Sequence, residues 1–477
     1  MKSEDSALTK LFKLLPSVEK PSFRQPFMVK LKWTFIVVLF YFLLSSVRIV
    51  GVALASYEQF RFLEIVLGSR FGSLTTLGIG PIVTAGIILQ LLVGSQIIGW
   101  DLTKPEDRKK FQMWDKFLAI LFCFVEGFAY VFSGAIPVIG GIEMIIFVGL
   151  QLALGGLIVI LLDEIVSKWG FGSGVSLFIA AGVSSQIFIR LFSIFPTTCQ
   201  PGIISTCIPS LSNPPSGLLW RSLGALISQN LPLFLTTIMP MISTIFVFLL
   251  VVYIQGISIE IPLAFGSLRG FGRSWPLRLL YTSNIPVILA AALLANLQLL
   301  GRFGAVPKGE LICSPLACFD QRGQIVSGFL YYLSRPSNFV LNAIAGILTS
   351  QEIIRAITYL LTFVILSTIF SVFWVTTAGM DPKSVAQQIA AVGLYIPGYR
   401  RDEKSIENVL KNYIPNLAVL GGIIIGLIAA AADFLGAVGS GTGILLTVMI
   451  INNYYEILSA ERVEEAPPII RKILGVE

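Results

Sequence analysis

The sequence predicts an all-α polytopic membrane protein of ten spanning helices, arranged as two inverted-repeat halves of five. Three observations carry that prediction. Hydrophobic residues make up 55% of the 477 residues and charged residues only 13%. A soluble domain carries about 25% charged residues, so a soluble fold of this length could not cover its surface. The apolar residues gather into ten stretches, each near the about 20 residues that cross about 30 Å of hydrocarbon. These stretches are continuously apolar, whereas strands of an outer-membrane barrel alternate over about ten residues. Finally, two short motifs recur five spans apart.

The elements follow in chain order. Residues 1–30 are polar and basic and form a cytoplasmic N-terminal segment. No cleavable-signal pattern is read there, because the first apolar run is long enough to span. Spans 1–5 (31–52, 81–98, 116–132, 143–162 and 174–195) form an N-terminal half, 31–198. An external loop, 199–231, leads to a C-terminal half, 232–456. It holds spans 6–10 (232–253, 284–300, 351–374, 414–432 and 435–454), with cytoplasmic loops at 257–282 and 378–413. Residues 457–477 are a cytoplasmic tail. An even span count puts both termini on one side, and 24 of the 34 Lys and Arg fall on that side. The positive-inside rule makes it the cytoplasm. Asp163, Glu164 and Lys168 close span 4 and read as a solvated helix end.

Residues 57–71, YEQFRFLEIVLGSRF, have a short helical pattern but are too charged to span. They run through GSLTTLGIGP into span 2, where Gly78, Gly80 and Pro81 break the helix. Irregular backbone at membrane depth is tolerated only where protein or a water cavity satisfies it. The residues alone leave two placements open: a half-helix folded back into the interior, or an amphipathic helix on the outer surface.

The recurring motifs are Pro81-Ile82-Val83 opening span 2 and Pro286-Val287-Ile288 opening span 7. Gly172-Ser173-Gly174 opens span 5, and Gly439-Ser440-Gly441 opens span 10. Spans an odd number apart cross in opposite directions, so the halves form an inverted repeat around a central site.

Histidine is absent, which removes imidazole-based nucleophile systems and imidazole metal ligation. An intramembrane protease fails further, with no HExxH and no GxGD-type aspartate pair. A secondary transporter shares inverted repeats, but would need intramembrane carboxylates arranged as a coupling-ion site. Here only Glu126 lies clearly mid-span, and Asp433 lies at a helix end. Of five cysteines, Cys123 falls inside span 3. Cys199, Cys207, Cys313 and Cys318 fall in two external loops, where three pairings are open. Local clips, Cys199–Cys207 and Cys313–Cys318, are favoured. A four-Cys metal site lacks the C-x₂-C spacing, so no metal or cofactor is expected.

The strings GIGPIVTAGIILQLLVGS (78–95), LLDEIVSKWGFGSGVSLFIAAGVS (161–184), SNIPVILAAALLANLQL (283–299), DPKSVAQQI (381–389) and GSGTGILLTV (439–448) closely resemble the SecY family in its archaeal form. That family forms the channel of the Sec protein translocase. The resemblance implies an hourglass pore between two halves, with an aliphatic ring at its waist. The ring positions match Ile79, Val83, Val175, Ile179, Ile288 and Leu446. It implies a plug over 57–71 (Tyr57, Glu58, Phe60, Arg61, Leu63, Glu64, Leu67 and Phe71). It implies a lateral gate at Thr84, Glu126 and Asn296, where spans 2 and 3 face spans 7 and 8. Arg269, Arg273, Arg400 and Arg401 match ribosome-docking loops, and arginine suits phosphate through bidentate contacts. The implied partners are a SecE-like γ subunit, a small β subunit, the ribosome, signal peptides with nascent secretory or membrane proteins, and the lipid bilayer of the cell membrane. The implied activity is passive conduction without catalysis.

The spacing of the residues agrees with the ring. Ile79/Val83 and Val175/Ile179 are i,i+4 pairs, each on one helix face. Val83 and Ile288 stand equally far from their prolines, as Ile179 and Leu446 do from their Gly-Ser-Gly motifs. Aliphatic side chains dewet a narrow neck and bind no ion.

Overall fold

The computed structural model describes residues 15–52, 64, 67–102, 104–196, 208–209, 214–265, 272–282, 284–308, 311–320, 324–336, 339–344, 346–400 and 402–465. Each of the ten predicted stretches coincides with a helix. The N-terminal half holds α1 (Phe27–Ser46), α2 (Gly80–Gly94), α3 (Pro105–Phe132), α4 (Ile142–Trp169) and α5 (Gly174–Phe192). A short helix, α6 (Leu218–Ile227), occupies the predicted external loop and leads into α7 (Leu231–Gln255). A hairpin of β1 (Ser258–Phe265) and β2 (Gly272–Arg278) precedes α8 (Ile285–Leu300). Then come β3 (Val306–Lys308), β4 (Leu311–Cys313), β5 (Ala317–Phe319), β6 (Ile325–Gly328), α9 (Phe329–Leu333) and α10 (Phe339–Ile344). The chain ends with α11 (Ser350–Thr377), α12 (Pro382–Ala391), β7 (Leu394–Tyr395), α13 (Glu403–Phe434) and α14 (Gly441–Glu465).

By length and composition, seven of the described helices can cross a membrane: α1, α4, α5, α7, the one beginning at Ser350, α13 and α14. Helix α3 is long but charged in its first turns. Helices α2 and α8 are apolar but have only 15 and 16 residues. At 1.5 Å per residue they reach about 23 Å, short of the hydrocarbon thickness. Both are largely buried by protein, α8 along nearly its whole length, so neither needs to match the lipid.

Local chemistry starts the helices where the sequence indicates. Pro81 and Pro286 sit in the first turns of α2 and α8, where a missing N–H costs nothing. Thr349 and Glu352 form a reciprocal capping box on α11. The last predicted span begins later than expected: α14 starts at Gly441, and 435–440 are loop.

Small residues set the packing. A Cβ on Gly422 would lie 2.7 Å from Thr368 Cα, and one on Gly426 would lie 2.8 Å from Val364 Cα. This small-xxx-small face brings α13 against α11. Ser367 and Ser371 then donate to Gly422 O and Ala418 O at 2.8 and 2.6 Å. In the other half Gly127, Gly149 and Gly156 bring α3 against α4 in the same way.

The two Gly-Ser-Gly motifs meet reciprocally. A Cβ on Gly172 would lie 3.1 Å from the Tyr454 ring, and one on Gly439 would lie 3.9 Å from Ile187 Cγ1. Gly172 precedes Ile187 by the same interval by which Gly439 precedes Tyr454. The contact is therefore one contact made twice, as across a two-fold axis, and α5 runs antiparallel to α14. Ile179 stands about midway between Gly172 and Ile187, and Leu446 about midway between Gly439 and Tyr454. The two side chains thereby come to one level.

The end of span 4 is a network rather than a solvated terminus. Glu164 takes Lys116 Nζ at 3.0 Å, Lys168 Nζ at 2.7 Å and the Val18 N–H at 3.1 Å. Asp163 accepts the Val175 N–H at 2.8 Å. The N-terminal segment folds onto this end and supplies partners that the local sequence does not.

Candidate functional site

The side chains of Ile79, Val83, Ile179, Ile288 and Leu446 are buried, and Val175 is partly buried against the same apolar cluster. They come from α2, α5, α8 and α14 and from the residue before α2, so both halves contribute. Two cavities flank their level. One of about 520 Å³ is lined by Tyr41, Ser46, Glu64, Ser69, Gly182 and Gln186. The other, of about 460 Å³, is lined by Gln255, Arg278, Tyr281, Met449, Asn452 and Asn453. On α5 the first cavity lies beyond Ile179, toward Ile187. On α14 the second lies beyond Leu446, toward Tyr454. Because these helices are antiparallel, the cavities open on opposite sides of Ile179 and Leu446, leaving a waist between them.

The first cavity is floored by the described end of the segment before span 2. Leu67, Ser69 and Phe71 are buried. The Ile79 N–H donates to Leu67 O at 2.9 Å. Gly78 has φ +51°, and a Cβ there would lie 2.2 Å from Leu67 O, so only glycine fits. Gly68 lies against the Phe178 backbone, its carbonyl accepting the Tyr41 hydroxyl. Glu64 Oε1 accepts the Phe71 N–H at 2.8 Å. Residues 67–71 are thus folded back into the interior, not laid on a surface. Tyr57, Glu58, Phe60, Arg61 and Leu63 lie outside the described residues.

A hydrogen-bonded chain joins α2, α3 and α8. Asn296 Nδ2 donates to Thr84 Oγ1 at 2.9 Å, and Thr84 Oγ1 donates to Glu126 Oε1 at 2.6 Å. Glu126 is buried. The same seam continues where a Cβ on Gly94 of α2 would lie 2.8 Å from the Phe373 ring of α11. Sequence reasoning singled out neither Gly94, which stands unremarked near the end of the 78–95 string, nor Phe373, which belongs to no motif.

On the second cavity's side, β7 pairs with one edge of β1 and β2 with the other, giving the sheet order β2-β1-β7. The two basic loops are thereby one surface. Arg400 is exposed beside it. Arg273 lies on β2, opposite Leu263; Arg269 and Arg401 fall outside the described residues. Burial, helped by the Asp381 charge, pushes Tyr281 up to about 12. Its hydroxyl keeps the proton it donates to Met380 O at 2.9 Å. At the opposite end, β3-β4-β5-β6 form an antiparallel sheet in which cross-strand partners Cys313 and Cys318 are disulfide-bonded. Cys199 and Cys207 lie outside the described residues.

The SecY family model matches residues 73–455. The chain belongs to the SecY family. The protein translocase subunit SecY of Methanococcus vannielii is 42% identical over 465 residues, covering 98% of each chain. That of Methanocaldococcus jannaschii is 42% identical over 472 residues, covering 98% of this chain and 99% of its own. A solved structure of a protein conducting channel matches with TM-score 0.80 and 42% identity, over 96% of this chain and 98% of its own. Sec61 in the canine ribosome-channel complex matches with TM-score 0.77, 42% identity and the same coverage. Within this SecY-family chain, the waist and the Thr84–Glu126–Asn296 chain lie inside the matched region, and the folded-back residues 67–71 stand just before it.

Proposed function

We infer that the chain is the channel-forming subunit of a protein translocase. It passes unfolded polypeptides through the waist and releases apolar segments into lipid through the α2/α3–α8/α11 seam. The observation that carries this reading is an aliphatic constriction, drawn from both halves, between two cavities on opposite sides. Such a neck stays dry and binds no ion, yet yields to a passing chain. Residues 57–71 act as the plug on the outer side. Both termini and the β2-β1-β7 sheet face the cytoplasm, where Arg269, Arg273, Arg400 and Arg401 dock the ribosome. A SecE-like γ subunit and a small β subunit complete the complex. The driving force comes from the bound partner, and the chain itself is a conduit without a catalytic step.

The test is resting conductance in a planar bilayer. Replacing Ile79, Val83, Ile179 and Ile288 together by glycine should make the idle complex leak ions. Unchanged conductance would overturn the assignment of the ring.

A further inference from the structure

The two helices that bring Ile179 and Leu446 to one level are each held at their N-terminus by a carboxylate from the helix before. Asp163, near the end of α4, accepts the Val175 N–H at 2.8 Å. Ser173, the residue ahead of α5, makes no side-chain cap of its own. A Cβ on Gly174 would lie 2.6 Å from Asp163 Cα, so the carboxylate's backbone is pressed against the start of α5. At the other end of the molecule Asp433, in the last turn of α13, accepts the Thr442 N–H at 3.1 Å and the Thr442 hydroxyl at 2.6 Å. It also accepts the buried Tyr359 hydroxyl of α11 at 2.8 Å. A Cβ on Gly441 would lie 1.9 Å from Ala432 C. Val175 and Thr442 each directly follow their Gly-Ser-Gly motif, so the two bonds are equivalent under the repeat. Asp433 itself is buried.

We propose that Asp163 and Asp433 are a symmetry-related pair of positioning residues that fix the axial height of α5 and α14, and so align Ile179 with Leu446. The physical argument is leverage. A helix moves 1.5 Å along its axis per residue, and the two pore-lining helices are antiparallel. A slip of either one carries its own side chain along the pore and out of level with the other. The start of α5 is also tied to α14, since Tyr454 Oη donates to Ser173 O at 2.7 Å. Each carboxylate therefore holds one end of a mutually registered pair. A charge-assisted hydrogen bond is about twice as strong as a neutral one, and it acts on backbone N–H groups that lack an intrahelical partner.

The proposal rests on the ring reading, and the experiment separates the two. Resting conductance is measured for the partner-bound complex in planar bilayers, beside thermal stability. Asp163→Ala and Asp433→Ala should each raise the resting open fraction about tenfold, the scale of one lost charge-assisted hydrogen bond. Asp163→Asn keeps the Oδ1 acceptor but not the charge, and should fall between wild type and alanine, at about threefold. Asp163→Glu keeps the charge but lengthens the arm by one carbon–carbon bond. It should leak although it folds, and it serves where alanine variants fail to assemble. A control with Ile179→Gly and Leu446→Gly tests the ring alone. If the control leaks while the alanine and glutamate variants stay sealed, with only melting temperature lowered, the carboxylates are ordinary stabilising caps and the proposal is overturned. If the control stays sealed, the ring reading fails, and this proposal with it.

Discussion

Thr84 shows how much a single hydroxyl can do at a seam. It accepts from Asn296 of one half and donates to Glu126 of the other helix beside it. Each such bond is worth about 1 kcal/mol or less within a membrane bundle. An arriving signal peptide has about 7–15 apolar residues and gains about 0.8 kcal/mol per buried CH₂. On the proposed function, that gain outweighs the seam's bonds, so a signal can open it. Asn296→Leu should leave translocation intact while shifting the hydrophobicity a signal requires. Leucine repacks the seam against its aliphatic neighbours, so the expected direction is a tighter gate and stricter signals. Translocation of a series of signals with graded leucine content measures the threshold. Identical thresholds in both proteins would leave Asn296 as a packing residue.

At the scale of elements, residues 67–71 before α2 are seated by a few close approaches. Gly68 and Gly78 both have positive φ, and both let backbone touch backbone where a side chain would collide. Leu67 is held between them over Ile79 and Gly80. Among the described residues the seat's contacts are few and local, so on the proposed function it releases as a unit. In a background without native cysteines, Leu67→Cys should react slowly with an impermeant external thiol reagent in the idle channel. Its reaction should become faster while a polypeptide is in transit. Equal, high reactivity in both states would mean that the segment leaves its seat without substrate. The β3-β4-β5-β6 sheet is held differently: Cys313 and Cys318 close a strand pair of their own, away from the waist.

Across the whole molecule, the halves meet along two lines. One is the reciprocal α5/α14 pair, whose equivalent contacts keep Ile179 and Leu446 level. The other is the seam between α2/α3 and α8/α11. There a Cβ on Gly94 would lie 3.3 Å from Phe373 Cβ, close to the about 3.5–4.5 Å that separates bridged cysteines. Gly94→Cys with Phe373→Cys should therefore cross-link under oxidation and lock the seam. Lateral release of membrane segments, followed by carbonate-resistant integration of a reporter, should stop and should recover on reduction. Integration that continues at the wild-type rate in the cross-linked protein would place the exit elsewhere.

The sequence by itself determined what depends on neighbours along the chain. Ten apolar stretches became ten helices because the demand for about 20 apolar residues is read one segment at a time. Pro81, Pro286 and the two Gly-Ser-Gly motifs marked helix starts because a missing N–H or a left-handed φ is a local property. The equal spacing of Ile179 and Leu446 from those motifs was also legible. What pairs across the molecule was not. The sequence read Asp163 as a solvated end and Asp433 as an unassigned helix end, and it passed over Gly94 and Phe373. It could not join the two basic loops into the β2-β1-β7 sheet. Only the tertiary structure decided these, because each depends on how closely two distant backbones approach. That approach is set by glycines and small side chains packing across helices, and lone glycines look alike in a sequence wherever they stand.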